Sequence, residues 1–287
     1  DINKRAYCQP FHRALPLYFD KKHSLTFFFL CDSAKKNLFF LFGTVKYILN
    51  SLSLVHLGMF LERILGMSNT PINSLEDNRL KTARVFVRAT QNLIDAEGIT
   101  NVSIRKIAKS AGFHNSTIYL HFRDLEELVL LASLNFFTDY KKELAEKSKM
   151  PGTPKDRFLS IWELFGKTVF SHPQVFYNFF FGKYSKNLTP IITQYYELFP
   201  DEKPIYPKEI EEMYYGNNID DRSYMLLSPL IGTEGLRIND ENVFLVNKII
   251  VACFRQILAD QCKNPDTDPI ASNHFLLMIL KYVTGIE

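Results

Sequence analysis

From about residue 75 to the end of this 287-residue chain, apolar residues recur every three or four positions, and no stretch of useful length alternates with period two. An α-helix turns once in 3.6 residues, so this spacing gives successive helices one apolar face, whereas a half-buried strand needs strict alternation. The fold class expected here is all-α. Glycine and proline punctuate the pattern at Gly98, Gly112, Pro151-Gly152, Thr153-Pro154, His172-Pro173, residues 200–207, Gly216 and Asn264-Pro265. Proline lacks an amide hydrogen and glycine tolerates positive φ, so both end helices. Between them the spacing predicts helices near 76–97, from Ser103 to Ala111, from His114 or Asn115, and over 124–149. Others are predicted near 155–171, 173–183, 188–199, 207–215, 220–235, 241–262 and 269–284.

The first 67 residues read differently. They carry nine Lys/Arg against four Asp/Glu, while residues 68–287 carry 25 against 27, so the net charge of +3 belongs to the N-terminal segment. The runs FFFL (27–30) and FFLF (39–42) show no amphipathic period, and residues 37–61 are long enough to span a bilayer. Lys46, near the middle of that run, opposes insertion by about 3 kcal/mol. Phe, Lys, Asn, Ile and Tyr are the products of A/T-rich codons, and Met67 follows Glu62-Arg63, whose codons can spell a ribosome-binding sequence. Three readings of 1–67 therefore stand: translated upstream sequence with Met67 as the start, an extension packed on the body, or a membrane segment.

A hydrophobic content of 46% supplies a sizeable core. The four cysteines form no C-x-x-C pair and no framework spacing, which points away from zinc and disulfides and toward a reducing cytoplasm. No metal site or cofactor motif is read from the chain. There is no Gly-rich phosphate loop, H-E-x-x-H or G-x-S-x-G, and no catalytic residue is assigned.

Chemistry concentrates in residues 103–122, SIRKIAKSAGFHNSTIYLHF. Ile104, Ile107, Ala108 and Ala111 stripe one short helix, Gly112 supplies a turn, and a polar second helix is braced by Ile118 and Phe122. Two short helices joined in this way are what a helix-turn-helix requires, its second helix being rigid and polar enough to enter a major groove. Residues 79–123 carry eight Lys/Arg against Asp95 and Glu97, a field suited to a polyanion.

This stretch, followed by Asp124-Leu-Glu-Glu-Leu128, resembles the N-terminal DNA-binding region of the TetR family of transcriptional regulators, over about Arg79 to Leu128. The resemblance implies a helix-turn-helix domain over 75–128 and a larger helical ligand-binding and dimerisation domain over 129–287. It further implies a homodimer on a palindromic operator of double-stranded DNA, released by a small molecule. By position, Arg105 would reach a guanine edge, His114, Asn115, Ser116 and Thr117 would open the reading helix, and Tyr119 and His121 would touch phosphates. Lys106 and Lys109 would make sequence-neutral backbone contacts. A purely structural role competes at three positions: Ser103 is a helix cap in its own right, and Tyr119 and His121 can pack against the first helix. Leu125 stands where the family usually has lysine, and Asp124, Glu126 and Glu127 make that edge acidic. This departure motivates an alternative, an interaction protein that works through protein partners without operator binding.

In the remainder, aromatic residues crowd 158–199. Trp162, Phe165, Phe176, Phe180, Tyr184 and Tyr195 are candidates to line a pocket for a small apolar or aromatic ligand, including a cationic one held by ring faces. Ordinary core packing explains each ring equally well by itself. Residues 243–258 and 275–283 are apolar around most of the helix, as a dimer interface or a central helix requires.

Overall fold

The computed structural model describes residues 72–287, and every regular element among them is helical. The segment 1–67 and its three readings lie outside the described residues. Helices α1 (Ile72–Glu97), α2 (Ile104–Ala111) and α3 (Asn115–Ile118) make the N-terminal group. On α1, Ala83, Val87, Thr90 and Ile94 are buried, as their spacing predicts, and Phe86 joins them. Ile107, Ala108, Ile118 and Phe122 are buried in the same core. Gly112 adopts φ 75°, which a side chain would strain, and lets the Phe113 amide reach back to the Ala108 carbonyl at 3.0 Å. The reading helix is shorter than expected. After Ile118 its bonds tighten, Leu120 to Thr117 and His121 to Ile118, and the backbone continues as turns.

The body comprises α4 (Leu125–Ser133), α5 (Thr138–Lys147), α6 (Pro154–Ser171), α7 (Pro173–Phe181), α8 (Thr189–Leu198), α9 (Lys208–Tyr214), α10 (Ile219–Leu227), α11 (Val243–Lys263) and α12 (Pro269–Thr284). Helix α6 packs on α12, α11 touches α7, α10 and α12, and α4 lies against α7 and α8. Gly166 allows a close approach of α6 and α12: a Cβ there would sit 2.0 Å from Asn273 Oδ1, while Asn273 Nδ2 donates to the Glu163 carbonyl at 2.9 Å.

Two predicted helices are interrupted. Over 124–149 a 3-10 turn, Leu134–Phe137, separates α4 from α5; the Thr138 hydroxyl donates to the Asn135 carbonyl at 2.6 Å and tightens the backbone there. Over 220–235 the helix stops at Leu227, because Pro229 cannot donate into the ladder and Gly232 and Gly235, at φ 73° and 81°, turn the chain.

Phe254 on α11 is the hub of the aromatic core. Its ring centroid lies 5.4 to 6.3 Å from those of Phe165, Phe181, Trp162, Phe180 and Phe170. Polar ties on two sides join the N-terminal helices to the body. On one, Arg84 Nε donates to the Leu198 carbonyl, and Arg88 pairs with Glu202 with its guanidinium 4.3 Å from the Phe199 ring centre. On the other, Asp124 caps α4 through the Glu127 amide and accepts from Lys183 Nζ at 2.6 Å and from the Tyr184 hydroxyl. Burial alone would raise the Asp124 carboxyl, but these hydrogen bonds outweigh it and hold its pKa at about 2.

Phe254→Ala is expected to cost about 3 to 5 kcal/mol of stability, read from the urea unfolding midpoint. Asp124→Ala should cost about 1 to 2 kcal/mol through the lost cap. Because the folded carboxyl titrates far below an unfolded aspartate, its contribution is complete above about pH 4 and is lost as pH falls toward 2. The Asp124→Ala deficit should therefore be equal at pH 7 and pH 5 and shrink below pH 4; a deficit that vanishes by pH 5 would contradict the assigned hydrogen bonds.

Candidate nucleic-acid interface

Ser103 has an extended backbone, and its Oγ accepts from the Lys106 amide at 3.4 Å, so it caps α2. From that helix Arg105 and Lys109 project into solvent, with no ion-pair partner among the described residues. Lys106 is engaged: its Nζ lies 2.6 Å from Glu97 and 2.9 Å from the Asn101 carbonyl. His114 is the cap of α3, with Nδ1 accepting from the Ser116 amide at 3.4 Å and lying 2.8 Å from Ser116 Oγ. Asn115 and Ser116 are exposed and Thr117 is half-buried.

Tyr119 and His121 part company. Tyr119 is 59% exposed and free to reach a ligand. The His121 ring lies 5.9 Å from Phe86 of α1 and 6.2 Å from Phe122, and its Nδ1 is buried without a hydrogen-bond partner among the described residues. Burial, and then the nearby Arg79 cation, hold its pKa below the usual histidine value. The packing role therefore fits His121 and does not fit Tyr119.

The local charge is smaller at this face than the sequence suggests. Lys81 pairs with Asp77, Lys106 with Glu97, Arg123 with Glu127 and Arg88 with Glu202, while Arg84 turns to the Leu198 carbonyl. Four of the eight cations have no carboxylate partner among the described residues: Arg84, committed to that carbonyl, and Arg79, Arg105 and Lys109. Arg79 was carried in the sequence only as part of a charge total. It donates to the Leu120 carbonyl at 3.5 Å and so stands beside the end of the reading helix. No motif marks it, because its place there depends on a contact 41 residues away.

The acidic edge shrinks as well. Glu127 is buried and accepts from the Arg123 amide and side chain, and Asp124 is held by Lys183 and Tyr184, leaving only Glu126 exposed. Leu125 is half-buried against the core.

The six aromatic candidates do not converge on one pocket. Trp162 and Phe165 line a cavity of about 30 Å³. Phe176 sits in the core 4.8 Å from Phe137, and Phe180 borders an open groove that also contains Tyr177 and Arg255. Tyr184 holds Asp124, and Tyr195 donates to Glu202 at 2.6 Å. Among the described residues no group of three or more His, Cys, Asp or Glu is arranged to hold a metal ion, and no helix is long and apolar enough to cross a membrane.

The chain is similar to several solved structures. Thermus thermophilus FadR, a TetR-family transcriptional repressor solved with lauroyl-CoA, is 14% identical, with a TM-score of 0.46 over 70% of this chain and 94% of its own. FadR from Bacillus subtilis, solved with stearoyl-CoA, is 18% identical with a TM-score of 0.44 over 71% and 98%. RolR, in complex with resorcinol, is 14% identical with a TM-score of 0.46 over 74% and 91%. No curated protein matches the chain. The family described as bacterial regulatory proteins, tetR family, matches residues 86–132, which run from Phe86 of α1 through the whole helix-turn-helix into α4. Over that helix-turn-helix region, residues 86–132, the chain is similar to the TetR family of transcriptional regulators.

Proposed function

We propose that the chain is a homodimeric repressor, working in the cytoplasm, that binds a palindromic DNA operator and releases it when a small apolar or aromatic molecule enters the body. Residues 75–128 would read the DNA, and residues 129–287 would bind ligand and dimerise. The observation that carries the DNA reading is the exposed set on α2 and α3. Arg105, Asn115 and Tyr119 are exposed without a side-chain hydrogen-bond partner among the described residues, Ser116 is exposed beside His114, and Ile107, Ala108 and Ile118 beneath them are fully buried. A braced helix with polar side chains free at its N-terminal end suits the major groove, and a guanidinium fork matches the acceptors of guanine. Lys109 and Arg79 supply contacts that position the backbone. Lys106 and His121 are weaker candidates, each being engaged or buried.

Dimerisation is supported by two uncovered apolar rows. Leu245, Ile249 and Ala252 follow one another along α11, and Phe275, Met278 and Tyr282 along α12, with Tyr282 75% exposed. Apolar rows of this size left in water mark a partner surface, and a two-fold axis lets each row meet its copy. An inducer must prefer the spacing of the two reading heads that DNA rejects.

Selection from a random-sequence DNA pool is expected to enrich a palindrome with half-sites about one helical turn, or a multiple, apart. Arg105→Ala should cost about 1 to 3 kcal/mol per contact and relax preference at one symmetric position, whereas Lys109→Ala should weaken all sequences alike. Unchanged affinity and preference in Arg105→Ala would refute this docking. Phe275→Glu with Tyr282→Glu is expected to give a folded monomer by sedimentation; a dimer of undiminished operator affinity would remove α12 from the interface.

A further inference from the structure

Arg222, on α10, is 7% exposed and faces the cavity that Trp162 and Phe165 line. Its Nε donates to the Gly216 carbonyl at 3.1 Å, and its Nη2 has no partner among the described residues. The rings of Phe180 and Tyr214 lie 5.8 and 5.9 Å away, which softens the burial of a cation but does not balance its charge. Nearby carboxylates are occupied elsewhere: Asp221 accepts from Asn218 and Asp220 pairs with Lys248. Nor does a phenolate balance it. Burial pushes the Tyr214 hydroxyl up to about 12, and the hydroxyls of Tyr140, Tyr196 and Tyr206 are raised further, so all stay neutral near pH 7.

Two more residues that line the same cavity carry a buried polar atom without a partner among the described residues: Ser223 Oγ and the Trp162 indole Nε1. Arginine and indole nitrogens only donate, and a hydroxyl can donate. Three unpartnered donors carried by residues of one lining, one of them charged, call for an acceptor bearing negative charge. A cavity of about 30 Å³ holds roughly one water, which can meet some of these donors but not the charge. Leu226 borders this cavity and also an outer cleft of about 300 Å³ that Phe158, Ile210 and Met225 line. Leu226 is thus a wall shared by the two spaces, with Arg222 on the inner side and, on the outer, apolar residues beside Arg157 and Glu209.

We infer that Arg222 is the counter-charge for a small-molecule carboxylate, seated with its anionic head against Arg222, Ser223 and Trp162 and its apolar body extending past Leu226 toward the outer cleft. This deepens, and rests on, the reading of the body as a ligand-binding domain, and among small apolar or aromatic ligands it favours an anionic one. The ligand enlarges the cavity by displacing Leu226, so binding selects a conformation in which α6 and α10 are separated further than here.

The test measures binding of phenylacetate, benzoate and octanoate to the full chain, each beside its neutral amide, by calorimetry and by the fluorescence of Trp162, the chain's single tryptophan. No DNA is present, so the result stands apart from the operator reading. At least one acid is expected to bind roughly 10- to 100-fold tighter than its amide, the range of a charge-assisted hydrogen bond. Arg222→Met should abolish that preference while the melting temperature holds or rises, since an unpaired buried cation has been removed. Arg222→Lys should keep part of the preference, because the charge remains without the fork. If no acid is preferred over its amide, or if Arg222→Met folds and keeps the preference, the proposal falls.

Discussion

From Glu127 onward helix α4 has no free face: every residue to Leu134, at the start of the following 3-10 turn, is buried. It begins where the reading head ends and runs between α7 and α8, so head and body share one strut whose side chains cannot be moved singly. Close-packed interiors pass displacement from neighbour to neighbour instead of absorbing it. The Asp124 cap and its bonds to Lys183 and Tyr184 fix the near end of that strut, and the Arg84 and Arg88 ties hold α1 to the end of α8. A shift of α8 therefore has a route to the turns that follow α3 by way of α1, which Arg84 and Arg88 tie to α8 and which Phe86 and Arg79 join to His121 and Leu120.

Much of this architecture was legible in the sequence because it depends on local rules. Helical period, Gly112 at a turn, Ser103 as a cap and the stripe on α1 involve residues within one or two turns of each other, and the structure agrees on each. Where reading failed, a single residue had been passed over or a distant partner was needed. Pro229 ended a helix that periodicity carried to 235, and a hydroxyl of Thr138 broke one expected to run unbroken. The acidic edge at 124–127 was read from proximity in sequence, but Lys183 and Tyr184 lie about 60 residues away and could not be inferred from spacing.

The aromatic region shows the same limit more plainly. Composition located the core at 158–199 and proposed a pocket, yet the six chosen rings serve at least four different duties. Arg222 and Ser223, the polar groups that give the cavity its chemistry, lie in Asp-Asp-Arg-Ser, a run that reads as a solvated face. Burial of a cation is a tertiary fact, and no local pattern announces it.

The Arg88–Glu202 contact is partly open to solvent, with side-chain exposures of 45% and 27%, so added salt screens it along with any contact to DNA. Ionic strength then acts twice on the same equilibrium: once by competing for phosphates, and once by loosening the head from the helices that orient it. The slope of binding against salt concentration, ordinarily taken as a count of displaced counterions, becomes for such a protein a count of phosphates plus the ions that return to its own parted side chains.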